Sequence, residues 1–286
     1  MGVTVLYSEI FKSIQGEGHY TGVPTTWLRF FGCNLECNGF GQDDPTDPST
    51  YKLPFNEFDL IDVKNVEDLP VWKYGCDSSY SWSKRFAKLQ HNKTHEEVAK
   101  KLFDGMYNEN THVAFTGGEP LMKAAQKNTM KILDEINVLL GDKEVQYITW
   151  ETNGTRELIP EFVEYLKIKR DNGTELFFSV SPKMFNTSGE KDVVCPDIVK
   201  QYHDISPVGQ LKFVCNGTEA SWNEIEESII KFREVGINYP IWIMPVGATE
   251  ESQDELAKEI TIETMNRGYN VAARVHCYIF GNQIGT

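Results

Sequence analysis

Short apolar, β-branched runs alternate along this chain with longer segments whose apolar residues recur every three or four positions. The runs predict strands at 25–31, 112–115, 145–150, 176–180, 210–214, 241–244 and 271–276, most of them ending in polar or glycine-rich residues. Helical periodicity is clearest at Trp222, Ile225, Ile229 and Phe232, whose spacings of 3, 4 and 3 draw one apolar stripe. Ser221 and Glu224 stand at capping-box spacing where that helix would open, and Gly236 stands where it would close. Thr94 and Glu97 repeat the spacing ahead of Val98, Leu102 and Met106, which share a face. Segments 121–140, 157–170 and 254–266 read as helices too.

Strand–helix alternation implies a parallel sheet with helical crossovers, either doubly wound or a barrel. The placement of chemically loaded residues decides between them. Cys33, Gly117-Gly118-Glu119, Glu151-Thr152-Asn153-Gly154, Ser181-Pro182-Lys183 and His276 fall at the ends of five different predicted strands. A barrel opens all its strand C-terminal ends onto one face. A doubly wound sheet gathers its ligand residues at a single switch point. The expectation is therefore an α/β fold, a partial, open (β/α) TIM-like barrel forming a single domain over 1–286.

Residues 38–75 interrupt the pattern. They carry eight acidic residues against three lysines, together with four prolines. Scattered apolar positions (Phe55, Phe58, Leu60, Ile61, Val63) predict an acidic inserted lobe that partly packs.

The chain has 286 residues, 40% of them hydrophobic, and a formal net charge of −14. No apolar stretch approaches the roughly 18 residues of a membrane span, and no secretory pattern opens the chain. A cytoplasmic protein is expected, in the host cytoplasm if it is phage-encoded, with no membrane partner. The acidic charge without a basic patch also argues against nucleic acid. Clustered cysteines in a reducing compartment favour metal binding or catalysis over disulfides. Cys195, Cys215 and Cys277 are scattered and read as buried structural thiols.

Cys33 and Cys37 close the run Trp27-Leu28-Arg29-Phe30-Phe31-Gly32 as a C-x3-C pair. That pair is half of a C-x3-C-x2-C arrangement, in which three thiolates hold a [4Fe–4S] cluster and leave one iron open for S-adenosylmethionine. The third position is Phe40, which cannot ligate iron, so Cys76 is read as the third ligand, displaced by the insertion. Zinc would want a fourth Cys or His nearby. His91 and His95 are the nearest after Cys76, the latter inside a predicted helix, so zinc leaves one ligand unassigned. In Thr116-Gly117-Gly118-Glu119-Pro120 the glycines let backbone approach a ligand closely, and Glu119 can accept from an ammonium group. A plain strand-to-helix turn is the competing reading of that segment.

Together these blocks resemble the radical S-adenosylmethionine enzymes and, within them, the 7-carboxy-7-deazaguanine synthase family. The resemblance rests on Phe11-Lys12-Ser13-Ile14-Gln15-Gly16-Glu17-Gly18, on Gly22, Arg29 and Gly32-Cys33-Asn34-Leu35-x-Cys37, and on Cys76-Asp77-Ser78 with Tyr80 and Trp82. Thr116 to Pro120, Glu151 to Thr155, Val180-Ser181-Pro182-Lys183, Leu211-Lys212-Phe213-Val214 and His276…Gly281-Asn282 follow in family order. Two departures stand out. The family has two residues between its second and third cysteines where this chain has 38, and its metal-binding threonine is Ser78, which keeps the hydroxyl oxygen that Mg²⁺ accepts.

The resemblance implies radical ring contraction of 6-carboxy-5,6,7,8-tetrahydropterin to 7-carboxy-7-deazaguanine, with loss of ammonia and regeneration of S-adenosylmethionine. It implies cluster ligation by Cys33, Cys37 and Cys76, and Mg²⁺ at Ser78. Gly117, Gly118, Glu119, Asn153, Ser181 and Lys183 would hold the cofactor, and Gln15, Glu17, Arg29, Glu151 and His276 the substrate. It further implies a flavodoxin- or ferredoxin-type electron donor and a homodimer. Two alternatives stay open: an activase-like radical enzyme, and a catalytically inactive binding protein that docks through its acidic insert. The opening block from Gln15 and the closing block from His276 oppose the activase.

Overall fold

A computed structural model describes residues 4–141, 143–281 and 283–285, with the Glu255 side chain left out. Asn282, the last residue of the closing block, therefore lies outside the described residues. The nine strands found among the described residues are β1 (Thr4–Ile14), β2 (Pro24–Phe30), β3 (His91–Thr94), β4 (His112–Gly117), β5 (Tyr147–Thr152), β6 (Glu175–Val180), β7 (Gly209–Cys215), β8 (Ile241–Pro245) and β9 (Asn270–Val271). They form one sheet in the order β3-β1-β2-β4-β5-β6-β7-β8-β9. From β2 to β9 every neighbouring pair is parallel, whereas β1 runs antiparallel to both β2 and β3. Helices Lys123–Leu139, Pro160–Asp171, Pro196–Ile205, Glu219–Glu234 and Glu250–Asn266 fill the crossovers. The expected open, parallel (β/α) barrel is what the chain forms.

Side-chain alternation separates two environments. Phe115, Trp150 and Phe178 are register partners on β4, β5 and β6 and stack at 6.0 and 5.1 Å between ring centres. They face the helices, with Phe162 and Tyr202 packed beside them. Fully burying one such ring contributes roughly 1.5–3 kcal/mol. The next residue along each strand points the other way, so Glu151, Ser179, Gln210 and Lys212 project polar groups into the interior. One end of that interior is closed by the β1–β2 hairpin. Gly18 sits there at φ +71°, where a Cβ would come 2.4 Å from the Gln210 side chain.

Several elements differ from the sequence expectation. β1 and β3 had no hydrophobic alternation to announce them: a bulge between Tyr7 and Glu9 interrupts β1, and β3 is a polar edge strand, His-Asn-Lys-Thr. The expected strand at 271–276 pairs only through β9; the chain then turns into the helix Val275–Phe280, which carries His276 and Cys277. Thr94 and Glu97 form the expected capping box. Ser221 does not: Thr218 caps the helix Glu219–Glu234, and Glu224 accepts instead from the backbone N–H groups of Phe185 and Asn186. All six cysteines are free, with Cys215 and Cys277 buried as expected but Cys195 only half-buried.

The insert is packed. Phe55, Leu60, Val66, Leu69 and Trp72 form a second small core with Tyr80, Phe86 and Leu89, which follow Cys76. Its ends meet, since the Gly75 N–H donates to the Phe40 carbonyl at 2.8 Å. No helix among the described residues is long and apolar enough to cross a membrane.

Candidate active site

Segments at the C-terminal ends of β2 and β4 to β9 line one cavity of about 260 Å³. Cys33, Cys37 and Cys76 share its wall with Gln15, Glu17, Arg29, Asp77, Ser78, Gly117, Gly118, Glu151, Asn153, Ser181, Lys183 and His276. The insert adds Phe40, Gly41, Lys73 and Gly75. Of the sequence-predicted site residues only Glu119 stays off the wall.

The cysteine loop is held from below by groups with no sequence signature. Glu190 Oε1 accepts the backbone N–H groups of Glu36 (2.8 Å) and Cys37 (2.6 Å). Cys37 adopts φ +53°, a left-handed conformation that a non-glycine residue keeps only when its surroundings impose it. Asn34 is tied to the β5 loop through Asn153 and Thr155. Burial pushes the Cys33 thiol up to about 12 and the Cys76 thiol up to about 11, and raises Cys37 as well. The Lys183 ammonium works against that rise at all three. Buried thiols sharing a wall with a lysine fit an electropositive iron–sulfur group, whose irons would stabilise the thiolates. No three His, Cys, Asp or Glu side chains among the described residues group around a single metal-ion position. Zinc ligands converge within about 2.3 Å of one point, whereas a cluster carries each thiolate on a different iron.

The glycine loop is built around close approach. A Cβ on Gly117 would lie 2.3 Å from the Phe30 carbonyl oxygen, and one on Gly118 would lie 2.2 Å from the Gly32 carbonyl and 2.8 Å from Cys33 Cβ. Glu119, 1% exposed, folds beneath the loop and accepts from Leu121 N–H (2.9 Å), Thr152 Oγ1 (2.7 Å) and Asn153 N–H (2.8 Å). It thereby joins β4 to β5. Gly118→Ala is expected to displace the Cys33 loop, costing about 1–3 kcal/mol in stability and at least halving the iron bound after reconstitution. Thermal melting and iron analysis check this; wild-type values for both would contradict the packing argument.

Opposite the cysteines lies a network of charges. Lys212 pairs with Glu17 and with Glu151 (3.2 Å), and Glu151 also accepts from Gln15 Nε2 (2.9 Å) and Ser179 (2.8 Å). Arg274 bridges Glu17 (3.0 Å) and Asp77 (3.0 Å). Burial alone would raise both carboxyls, but Lys212 and Arg274 outweigh it at Glu17, and Arg274 and Arg29 outweigh it at Asp77, holding each below its usual range. Arg29 is paired with buried Glu9 at 2.5 Å and reaches Ser78 Oγ at 3.2 Å. His276 packs so tightly on Gly16 that a Cβ there would meet its ring at 1.8 Å, and burial lowers its pKa.

Lys212, Arg274, Asp77, Glu9 and Glu190 had no role assigned from sequence. Lys212 offered the clearest signal, a lone cation within an apolar strand.

Known proteins resemble this chain over nearly its whole length. A protein described as 7-carboxy-7-deazaguanine synthase from Pyrobaculum aerophilum is 27% identical over 278 residues, covering 97% of this chain and 95% of its own. One of the same description from Halobacterium salinarum is 26% identical, covering 98% and 92%. The crystal structure of QueE from Escherichia coli superimposes with a TM-score of 0.52 at 18% identity, covering 96% of this chain and 95% of its own, a likeness of fold. The radical SAM superfamily pattern matches residues 74–261, well over half the protein, and the chain therefore belongs to the radical S-adenosylmethionine superfamily.

Proposed function

We propose that the protein is a 7-carboxy-7-deazaguanine synthase, contracting 6-carboxy-5,6,7,8-tetrahydropterin with loss of ammonia. The observation that carries this reading is the full-length likeness to relatives of that description, together with a single cavity that holds both the three thiols and the charge network. Membership of the superfamily implies a [4Fe–4S] cluster and S-adenosylmethionine, which would supply reductive formation of a carbon-centred radical.

The chain's own residues bind, orient and exclude water. Cys33, Cys37 and Cys76 would ligate the cluster. Gly117 and Gly118 leave room for the cofactor's amino-acid portion, with Glu119 fixing their loop and Asn153, Ser181 and Lys183 lining the cavity beside it. Lys212 and Arg274 keep Glu17 ionised and oriented, and Lys212, Gln15 and Ser179 aim Glu151, so both carboxylates can accept from a pterin's amino-pyrimidinone edge. Arg29 and the Ser78 hydroxyl lie together, where a substrate carboxylate and Mg²⁺ would be received. Phe11, Trp27, Val214 and Met244 give the cavity its apolar wall.

The test is an anaerobic assay of reconstituted protein with S-adenosylmethionine, reductant, Mg²⁺ and 6-carboxytetrahydropterin, followed by mass spectrometry. Formation of 7-carboxy-7-deazaguanine is expected. Cofactor cleavage without that product would move the protein to another radical reaction, and neither signal in cluster-loaded protein would refute an enzymatic role.

A further inference from the structure

We infer that the Trp82 indole N–H is a hydrogen-bond donor to the cluster sulfur at Cys76, and that the inserted lobe exists in part to hold it there. This rests on the reading of Cys76 as a cluster ligand. Trp82 and Cys76 share the cavity wall. Trp82 Nε1 is buried and has no hydrogen-bond partner among the described residues. A buried N–H left in that condition is destabilising, and of the three thiols on the wall Cys76 is the one this side chain is placed to donate to. The ring is fixed from two directions. The turn Ser79–Ser81 anchors its backbone, Trp82 N–H donating to Ser79 O at 3.2 Å. Phe55 of the insert meets the indole edge-on at 6.0 Å and 79°. The same Phe55 lies against Gly75, where a Cβ would come within 3.3 Å of it, so one insert side chain backs both the ligand's backbone and its donor. Trp27 is the second unpartnered indole on the cavity wall. It stacks on Phe11 at 5.9 Å on strand β2 and serves as the internal comparison.

Hydrogen bonds to cluster sulfurs are among the levers that set reduction potential. A donor stabilises the more electron-rich reduced cluster, so its removal makes reduction harder. Trp82→Phe keeps the ring's packing on Phe55 and removes only the N–H.

The experiment is a redox titration followed by electron paramagnetic resonance, on reconstituted full-length protein with measured iron and sulfide and no pterin present. Trp82→Phe is expected to keep its cluster and become about tenfold harder to reduce, equivalent to about 59 mV for a one-electron couple. Trp27→Phe is expected to leave the midpoint unchanged. An unchanged midpoint in cluster-loaded Trp82→Phe, or an equal shift in Trp27→Phe, overturns the inference. Should Trp82→Phe not retain its cluster, Phe55→Leu decides: a smaller shift of the same sign supports the role, and no shift overturns it. Because no pterin is present, failure here is separable from failure of the proposed reaction, and iron analysis separates it from a wrong assignment of Cys76.

Discussion

Cys76→Ala is expected to leave a folded protein that binds under one iron per chain after reconstitution, with activity at background. Cys195→Ala and Cys215→Ala are expected to load normally. The assignment turns on whether 38 residues can stand where two would suffice. Loop closure grows only with the logarithm of length, at about 0.6 kcal/mol per doubling, so roughly four doublings cost about 2–3 kcal/mol. The insert's own core offsets this: Phe55 is 2% exposed and Val66 fully buried, and each such side chain contributes roughly 1.5–3 kcal/mol. The Gly75–Phe40 hydrogen bond then returns the chain to within a turn of Cys37. Cys76 therefore stands on the same cavity wall as Cys33 and Cys37 despite the insertion. Iron and sulfide analysis with absorption spectroscopy checks the result. A Cys76→Ala protein with a full [4Fe–4S] complement would sink the assignment and make the insert an unrelated appendage. The insert's packing also bears on the inactive-binder alternative, because its Phe55 and Leu53 press on Gly75 beside a thiol of the wall.

What was legible in the sequence was the parallel half of the sheet and the residues at its strand ends. Strands such as Glu175–Val180, buried from Leu176 to Val180, leave a mostly apolar signal. The segments after them carry cysteines and glycines that stand out by type. Elements without such a signal stayed hidden. In β1, Tyr7, Ser8 and Glu9 are all buried in succession, so no alternation marks it. At the C-terminus, Val271 to His276 has strand-like composition, but the Arg274 guanidinium is drawn to Glu17, Asp77 and the carbonyls of Gly247 and Ala248, and the chain leaves the sheet. The charge network was unreadable for a related reason. Lys212 and Glu17 are 195 positions apart, and Arg274 and Glu17 are 257 apart. Pairings at that distance belong to topology, which the local pattern implies only in outline. Arg29 shows the limit from the other side: its type marked it as a site residue, yet its register partner Glu9 takes part of its charge.

Lys212→Met is expected to be the most destabilising single change in the charge network. Its ammonium side chain is 4% exposed and lies between Glu17 and Glu151, themselves 15% and 16% exposed. Burial would lower the Lys212 pKa, but Glu151 and Glu17 overcome that and raise it, so the ammonium stays charged across the physiological range. Methionine matches its length and leaves two carboxylates facing each other with Arg274 as the remaining cation on Glu17. Removing one partner of a buried pair costs about 3–5 kcal/mol. At roughly 2–4 °C per kcal/mol, the melting temperature should fall by about 6–20 °C. A Glu17→Gln/Lys212→Met double variant should recover at least about 1 kcal/mol of this, since it removes the charge left unpaired. The pH dependence carries a definite sign. Glu17 is held below its unfolded value, so its contribution is complete above the unfolded carboxylate pKa of about 4.3 and is lost as pH falls further. The deficit of Lys212→Met should thus be largest near pH 7 and shrink below about pH 4, where the stranded carboxylate can protonate. Denaturant unfolding at both pH values measures it. A variant within about 1 kcal/mol of wild type at pH 7 would show that water, not Lys212, satisfies the two carboxylates, and that the network orients substrate groups without holding the barrel together.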